Sequence, residues 1–296
     1  NSNELTSLPN TLPNSLQELD CFNCKLTSLP DSLPCSLKIL RCSDNELTSL
    51  LNILPSSLQE LYCGSNKLTS LPDTLPSSLQ ILYCGRNKLT SLPNTLPSSL
   101  LELWCSDNNI TSLPNTLPNS LQNLVCHYNE LTSLPNTLPS SLQILECTYN
   151  NLTSLPDTLP HSLQELWCSG NFELTSLPDT LPNSLQILDC NSNNLTSLPD
   201  KLPSSLRKLY CNHNKLTSLP NSIIQCINLY NIDYHRNEIE YIPPHLTRFL
   251  NRITNIDVGS VSIYNDGQNV HNHQIQESIR NSIYNVLADK PSIFID

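Results

Sequence analysis

The sequence predicts a β-rich solenoid in which short parallel strands stack into one inner sheet, joined by an extended or 3₁₀ outer limb with very little α-helix. Three observations carry this. A unit of mainly 21 residues recurs along most of the chain, two prolines hold fixed places in nearly every unit, and the apolar residues alternate over only a few positions. Alternation at period two is strand spacing, and regularly placed prolines exclude a helix interior from the connecting limb.

The motif LTSLP or a close variant begins at Leu5, Leu26, Leu47, Leu68, Leu89, Ile110, Leu131, Leu152, Leu174, Leu195 and Leu216, with one step of 22 where Phe172 and Glu173 share a single-residue slot. One unit, residues 58–78, reads LQELYCGSNKLTSLPDTLPSS. Within it Leu61 and Cys63 alternate with Glu60, Tyr62 and Gly64, so a short strand points leucine and cysteine inward and the others outward. One such strand cannot bury its own apolar face. Copies stacked about 4.8 Å apart share a continuous core, closed on the far side by Leu68, Leu71 and Leu75. Pro72 and Pro76 keep the return limb extended or 3₁₀. A twelfth, diverged copy runs through Leu229, Ile232, Tyr234, Asn237, Ile239, Ile242 and Pro243. Residues 1–243 are therefore expected to form 11 to 12 coils of a right-handed, curved solenoid. The opening Asn1-Ser2-Asn3-Glu4-Leu5 reads like the tail of a unit, so the solenoid is expected to be incomplete at its N-terminus.

An asparagine column follows the strands: Asn3, Asn45, Asn66, Asn87, Asn108, Asn129, Asn150, Asn171, Asn193, Asn214 and Asn237, with Cys24 as the exception. A short amide at a turn both donates to and accepts from backbone groups of neighbouring coils, so these residues are assigned to the fold.

The pattern resembles the leucine-rich repeat family, whose signature L-x-x-L-x-L-x-x-[NC]-x-L falls on Leu58, Leu61, Cys63, Asn66 and Leu68. The resemblance implies an α/β leucine-rich repeat solenoid, here at the β-rich extreme. The short unit with its double LP step is similar to bacterial effector repeats, and the cysteine column with the LTSLPDTLP wording is similar to giant-virus repeat proteins of the Mimivirus type. Effectors of that kind often carry a separate ubiquitin-ligase domain with a cysteine nucleophile, and the last 50 residues of this chain contain no cysteine.

Composition narrows the function classes. A net charge of −11 opposes nonspecific attraction to nucleic acid or an anionic membrane, and no run of about 18 apolar residues spans a bilayer. Ten of the 13 cysteines form one inward column, at positions 21, 42, 63, 84, 105, 126, 147, 168, 190 and 211. They read as small apolar fillers, kept reduced in an intracellular compartment such as a host cytoplasm. Cys21 and Cys24 form a CxxC already explained by the core and turn columns, while Cys35 and Cys226, off the column, are expected to be exposed and reactive. Neither catalytic residues nor a cofactor or metal site is assigned. Three N-x-T sequons, at Asn109, Asn151 and Asn194, follow from the repeat template.

Function is sought where copies disagree at outward positions. The column between the strand leucine and cysteine reads Asp20, Arg41, Tyr62, Tyr83, Trp104, Val125, Glu146, Trp167, Asp189, Tyr210 and Asp233. Tyr62, Tyr83 and Trp104 fall on successive strands, Tyr128 and Tyr149 lie offset beside them, and Trp167 and Tyr210 extend the surface. Gly64, Gly85 and Ser106 are expected to leave the rings accessible. Rigid aromatics with a polar handle anchor interfaces, so this face is read as a protein-binding surface, with Arg86 and Asp107 setting register. Charge on the same face is mainly acidic, which disfavours nucleic acid. Two other classes stay open: a structural repeat rod in a particle, and the substrate-recruiting part of an enzyme.

From about residue 244 the repeat stops, and Leu246, Phe249 and Ile256 are its only remnants. Residues 244–296 are expected to be a diverged cap or the start of another domain, with Val261 and Ile263 in a short strand and a helix over 273–288. His271 and His273 form an HxH pair without a third ligand in the sequence nearby.

Overall fold

A computed structural model describes residues 6–255. Eleven three-residue strands stack in chain order as one parallel sheet: β1 (Glu18–Asp20), β2 (Ile39–Arg41), β3 (Glu60–Tyr62), β4 (Ile81–Tyr83), β5 (Glu102–Trp104), β6 (Asn123–Val125), β7 (Ile144–Glu146), β8 (Glu165–Trp167), β9 (Ile187–Asp189), β10 (Lys208–Tyr210) and β11 (Asn231–Asp233). Register advances by one unit per step, so Leu61 pairs with Leu82 and Leu82 with Leu103. These leucines and the cysteines two residues after them are fully buried, and Leu68 and Leu71 close the core from the return limb. The limb is extended and turned, as its prolines require.

The turns leaving β2 to β11 are closed by the asparagine column, while Cys24 takes that place after β1, its Sγ donating to Phe22 O at 3.7 Å. Asn108 is typical: its Nδ2 lies 3.1 Å from the carbonyls of Cys84, Cys105 and Ser106, and its Oδ1 accepts from Leu89 N–H at 2.9 Å. One side chain therefore ties two coils through backbone groups that have no water to turn to. A second clamp, not anticipated from sequence, sits at the entrance to β2 through β10. Ser78 Oγ lies 2.8 Å from Ser56 O and 2.6 Å from Leu58 O of the preceding coil, and Ser57, Ser99, Ser120, Ser141 and Ser162 repeat the contact.

The residue before each asparagine has left-handed backbone, with φ of 49° to 54° at the non-glycine positions and 68° at Gly170. Its N–H continues the ladder beyond the strand, as when Ser65 N–H donates to Gly85 O at 2.8 Å. The 22-residue coil accommodates its extra residue here. Leu174 N–H bonds back to Asn171 O at 2.9 Å, which pushes Phe172 outward to 67% exposure.

All thirteen cysteines are free thiols, and Cys35 is exposed as its position suggests. Cys226 is not: it is fully buried, correcting the expectation that both off-column thiols face solvent. The coil entering β11 lacks the second proline, and a 3₁₀ turn over Asn221–Gln225 brings Cys226 into that proline's place. Its carbonyl accepts from Leu229 N–H as Pro76 O accepts from Leu79 N–H, and its Sγ donates to Pro203 O at 3.3 Å.

After Pro243 the chain forms α1 (Pro244–Asn255). Leu246, Phe249, Leu250 and Ile253 are buried on its inner face, and α1 packs on the 3₁₀ turn. Reading Leu246 and Phe249 as repeat remnants is thereby corrected, because their spacing of three, four and seven residues is that of an amphipathic helix. The segment 273–288, Ile256, Val261, Ile263 and the HxH pair lie outside the described residues.

Two measurements test this core. Leu103→Asp places a charge between central strands and is expected to destabilise by several kcal/mol, whereas Leu101→Gln, which restores the commoner residue, should leave the melting midpoint nearly unchanged. Burial pushes the thiols of Cys63 and Cys105 up to about 12 and that of Cys226 up to about 11, so they stay protonated and inert at neutral pH. Native alkylation read by mass spectrometry should therefore mark Cys35 and spare Cys63, Cys84, Cys105 and Cys226 until denaturant is added.

Candidate interaction surface

The open face of the sheet and its rim carry the aromatic and charged residues read above as the binding surface. Tyr62, Tyr83 and Trp104 stand in direct cross-strand register on β3, β4 and β5. The rings of Tyr62 and Tyr83 lie 6.5 Å apart, tilted by 37°. Beside them Tyr128 and Tyr149 stack face to face, with centroids at 4.5 Å and planes within 7°. Trp167 and Tyr210 are separated from this group, because Val125 and Glu146 interrupt the aromatic column before Trp167 and Asp189 interrupts it before Tyr210. All seven rings are half-buried.

The flanking small residues act differently from the sequence expectation. A Cβ on Gly64 would fall 2.1 Å from Tyr83 Cε1, so Gly64 is the seat on which that ring lies rather than a gap that leaves it clear. Gly170 does the same for Tyr149, where a Cβ would fall 2.7 Å from Cδ1. A ring lying on backbone is held still.

Three rings are also fixed by a carboxylate two residues earlier on the same strand face. Tyr62 OH donates to Glu60 at 2.9 Å, Trp104 Nε1–H to Glu102 at 3.1 Å, and Trp167 Nε1–H to Glu165 at 3.0 Å. Burial, with Glu60 second, holds the Tyr62 phenol well above its ordinary pKa. Tyr210 OH instead accepts from Asn231 Nδ2 at 2.9 Å.

Arg86 and Asp107 face each other across adjacent coils at 3.9 Å, with Arg86 exposed. Asp107 also lies 3.8 Å from His127 Nε2, while His127 Nδ1 sits 2.8 Å from Glu146 Oε1 without hydrogen-bond alignment. His127 packs edge-on against Tyr128 at 5.6 Å. The outward column thus has a polar centre that the aromatic pattern alone did not reveal. Asp189, between Trp167 and Tyr210 in register, is buried to 4% exposure. Desolvation pushes its carboxyl up to about 7, against the pull of hydrogen bonds from Asn191. Among the described residues no group of three His, Cys, Asp or Glu side chains is arranged to hold a metal ion, and no helix is long and apolar enough to cross a membrane.

The leucine-rich repeat family model matches residues 15–35 and 205–226. Among solved structures the chain is similar to YopM, a leucine-rich effector protein from Yersinia pestis, at 31% identity and a TM-score of 0.62, covering 82% of this chain and 78% of that one. YopM from Yersinia enterocolitica WA-314 is similar at 32% identity and a TM-score of 0.57, covering 81% of this chain but only 60% of that one, so this chain spans less than two thirds of its length. The functional domain of InlJ from Listeria monocytogenes, which includes a cysteine ladder, is similar at 26% identity and a TM-score of 0.57, covering 78% and 61%. No curated protein sequence matches the chain.

Asp189 supplies a pH test. Between its ordinary value of 3.8 and about 7 the folded state holds a proton that the unfolded state has lost. Its contribution to stability therefore falls as pH rises through that window and is lowest above it. Asp189→Asn, which keeps an acceptor for Asn191, should stabilise by on the order of a few kcal/mol at pH about 8 and make little difference near pH about 4, read from thermal melts.

Proposed function

Because the chain belongs to the leucine-rich repeat family, we propose that it is a noncatalytic interaction module that holds a protein partner on the open face of its sheet, in an effector-like, host-directed role. Its free thiols fit a reducing compartment such as a host cytoplasm. The observation that carries the reading is the placement of Tyr128 and Tyr149. Both have left-handed backbone, at φ of 50° and 49°, in a column that Asn, Asp, Ser or Gly fills in six other coils and Arg or His in three. For a bulky side chain that conformation costs about 1–2 kcal/mol per residue. Other copies show that the fold does not require the rings, so a use outside the fold accounts for them. Continuity with Tyr62, Tyr83 and Trp104, rigid on their glycine and carboxylate supports, gives an anchor of the kind that dominates binding energy.

Two double variants test this against a purely structural role. Tyr83→Ala with Trp104→Ala should weaken a captured partner by at least about 2 kcal/mol, or roughly 30-fold. Tyr128→Asn with Tyr149→Asn relieves backbone strain while losing one stacked pair, so its melting midpoint should stay close to wild type while the partner is lost. Unchanged affinity in both, with both folded, would sink the aromatic-face assignment.

A further inference from the structure

We propose that the open face receives a basic, extended segment of a partner protein, whose arginine or lysine side chains seat over Trp104 and Trp167 and pair with Glu102 and Glu165. This deepens the interaction reading above and rests on it.

The chain contains its own example of a cation over such a ring. Glu60–Tyr62, Glu102–Trp104 and Glu165–Trp167 share one arrangement, an acid two residues before a ring and bonded to the ring's polar edge. The acid holds the ring still and sets a negative charge at its rim, while the ring face presents the negative side of its quadrupole. At the first of the three, a cation is already in place: the Arg41 guanidinium lies 5.5 Å over the Tyr62 ring and is ion-paired with Glu18. Among the described residues no lysine, arginine or histidine is placed against Glu102, Glu165 or either tryptophan ring.

Trp167 is flanked in register by Glu146 on β7 and Asp189 on β9, both buried. Three carboxylates thus surround one ring. Asp189 carries the signature of an acid removed from water without a compensating cation, its carboxyl pushed up to about 7. An incoming guanidinium would supply that compensation where water is already excluded. The net charge of −11 favours the encounter.

Spacing selects the segment. Trp104 on β5 and Trp167 on β8 are three strand steps apart, roughly 14 Å at about 4.8 Å per step. An extended chain advances about 3.3–3.4 Å per residue and returns to the same face every second residue, so two cations four positions apart reach both seats.

The probe is a short capped peptide with two arginines four positions apart in a serine and threonine background, titrated against the full chain. The sequence contains only two tryptophans, Trp104 and Trp167, so fluorescence excited beyond the tyrosine absorption band reports on these two seats alone. A saturating change is expected, weakening between about 50 and about 300 mM salt. Affinity should fall at least about tenfold when citrulline replaces arginine, when the arginines are made adjacent, or in Glu102→Gln with Glu165→Gln, where the amide oxygen still accepts from the indole. Absence of saturation below about 1 mM, or equal binding of the citrulline peptide, overturns the proposal. So does equal binding of the adjacent-arginine peptide or an unaffected Gln double variant. If the arginine peptide fails while Tyr83→Ala with Trp104→Ala still releases a captured protein, the cation seats are wrong and the binding face stands. If that double variant keeps its partner, the interaction reading itself is wrong.

Discussion

The structure depends on closing the backbone hydrogen bonds at the exit of each strand. A three-residue strand offers few ladder bonds, and the chain must then turn inside a dry core where an unpaired N–H or C=O costs about 1–3 kcal/mol. The asparagine amide answers both needs, since Asn108 reaches three carbonyls with Nδ2 and accepts Leu89 N–H with Oδ1. Repeated down the stack, this one side chain fixes the distance and register of neighbouring coils. The serine clamps do the same at the strand entrance.

That closure also shapes the open face. To bring the asparagine inward, the preceding residue takes left-handed backbone and its side chain is carried to the rim of the sheet. The rim column and the strand column together make a surface whose backbone positions are set by the core, while its side chains are free to differ. Rings, carboxylates and glycines then sort by size: Tyr83 lies where Gly64 leaves room, and Asp189 is shaded because Trp167 and Tyr210 flank it.

Much of this was legible in the sequence because a fixed 21-residue step turns position along the chain into position across the sheet. The inward leucine and cysteine columns, the asparagine turns and the alignment of Tyr62, Tyr83 and Trp104 all follow from that arithmetic. What the arithmetic missed depends on side-chain size and direction. The pairing of Glu102 with Trp104 is a two-residue spacing on one strand face, visible once the face is known but masked by reading each column separately. The burial of Asp189 depends on neighbours in other coils, and the role of Cys226 on a proline that this one coil lacks. In α1 the helical spacing of Leu246, Phe249, Leu250 and Ile253 is present in the sequence, but Leu246 and Phe249 also match the spacing of a fading repeat.

Near-identity of the coils sets a folding hazard. Because each coil offers its neighbours almost the same surface, a chain that collapses with one whole coil looped out can still pair every remaining strand and forfeits only nearest-neighbour contacts. Such slipped states give up the burial of one coil but keep every other contact, and hydrophobic pattern alone does not say which coil belongs where. The coil with Phe172 pushed outward and the proline-lacking coil before β11 break this translational sameness, because their turns bond differently from the rest. They act as index marks, against which a miscounted stack leaves asparagine and backbone groups mismatched.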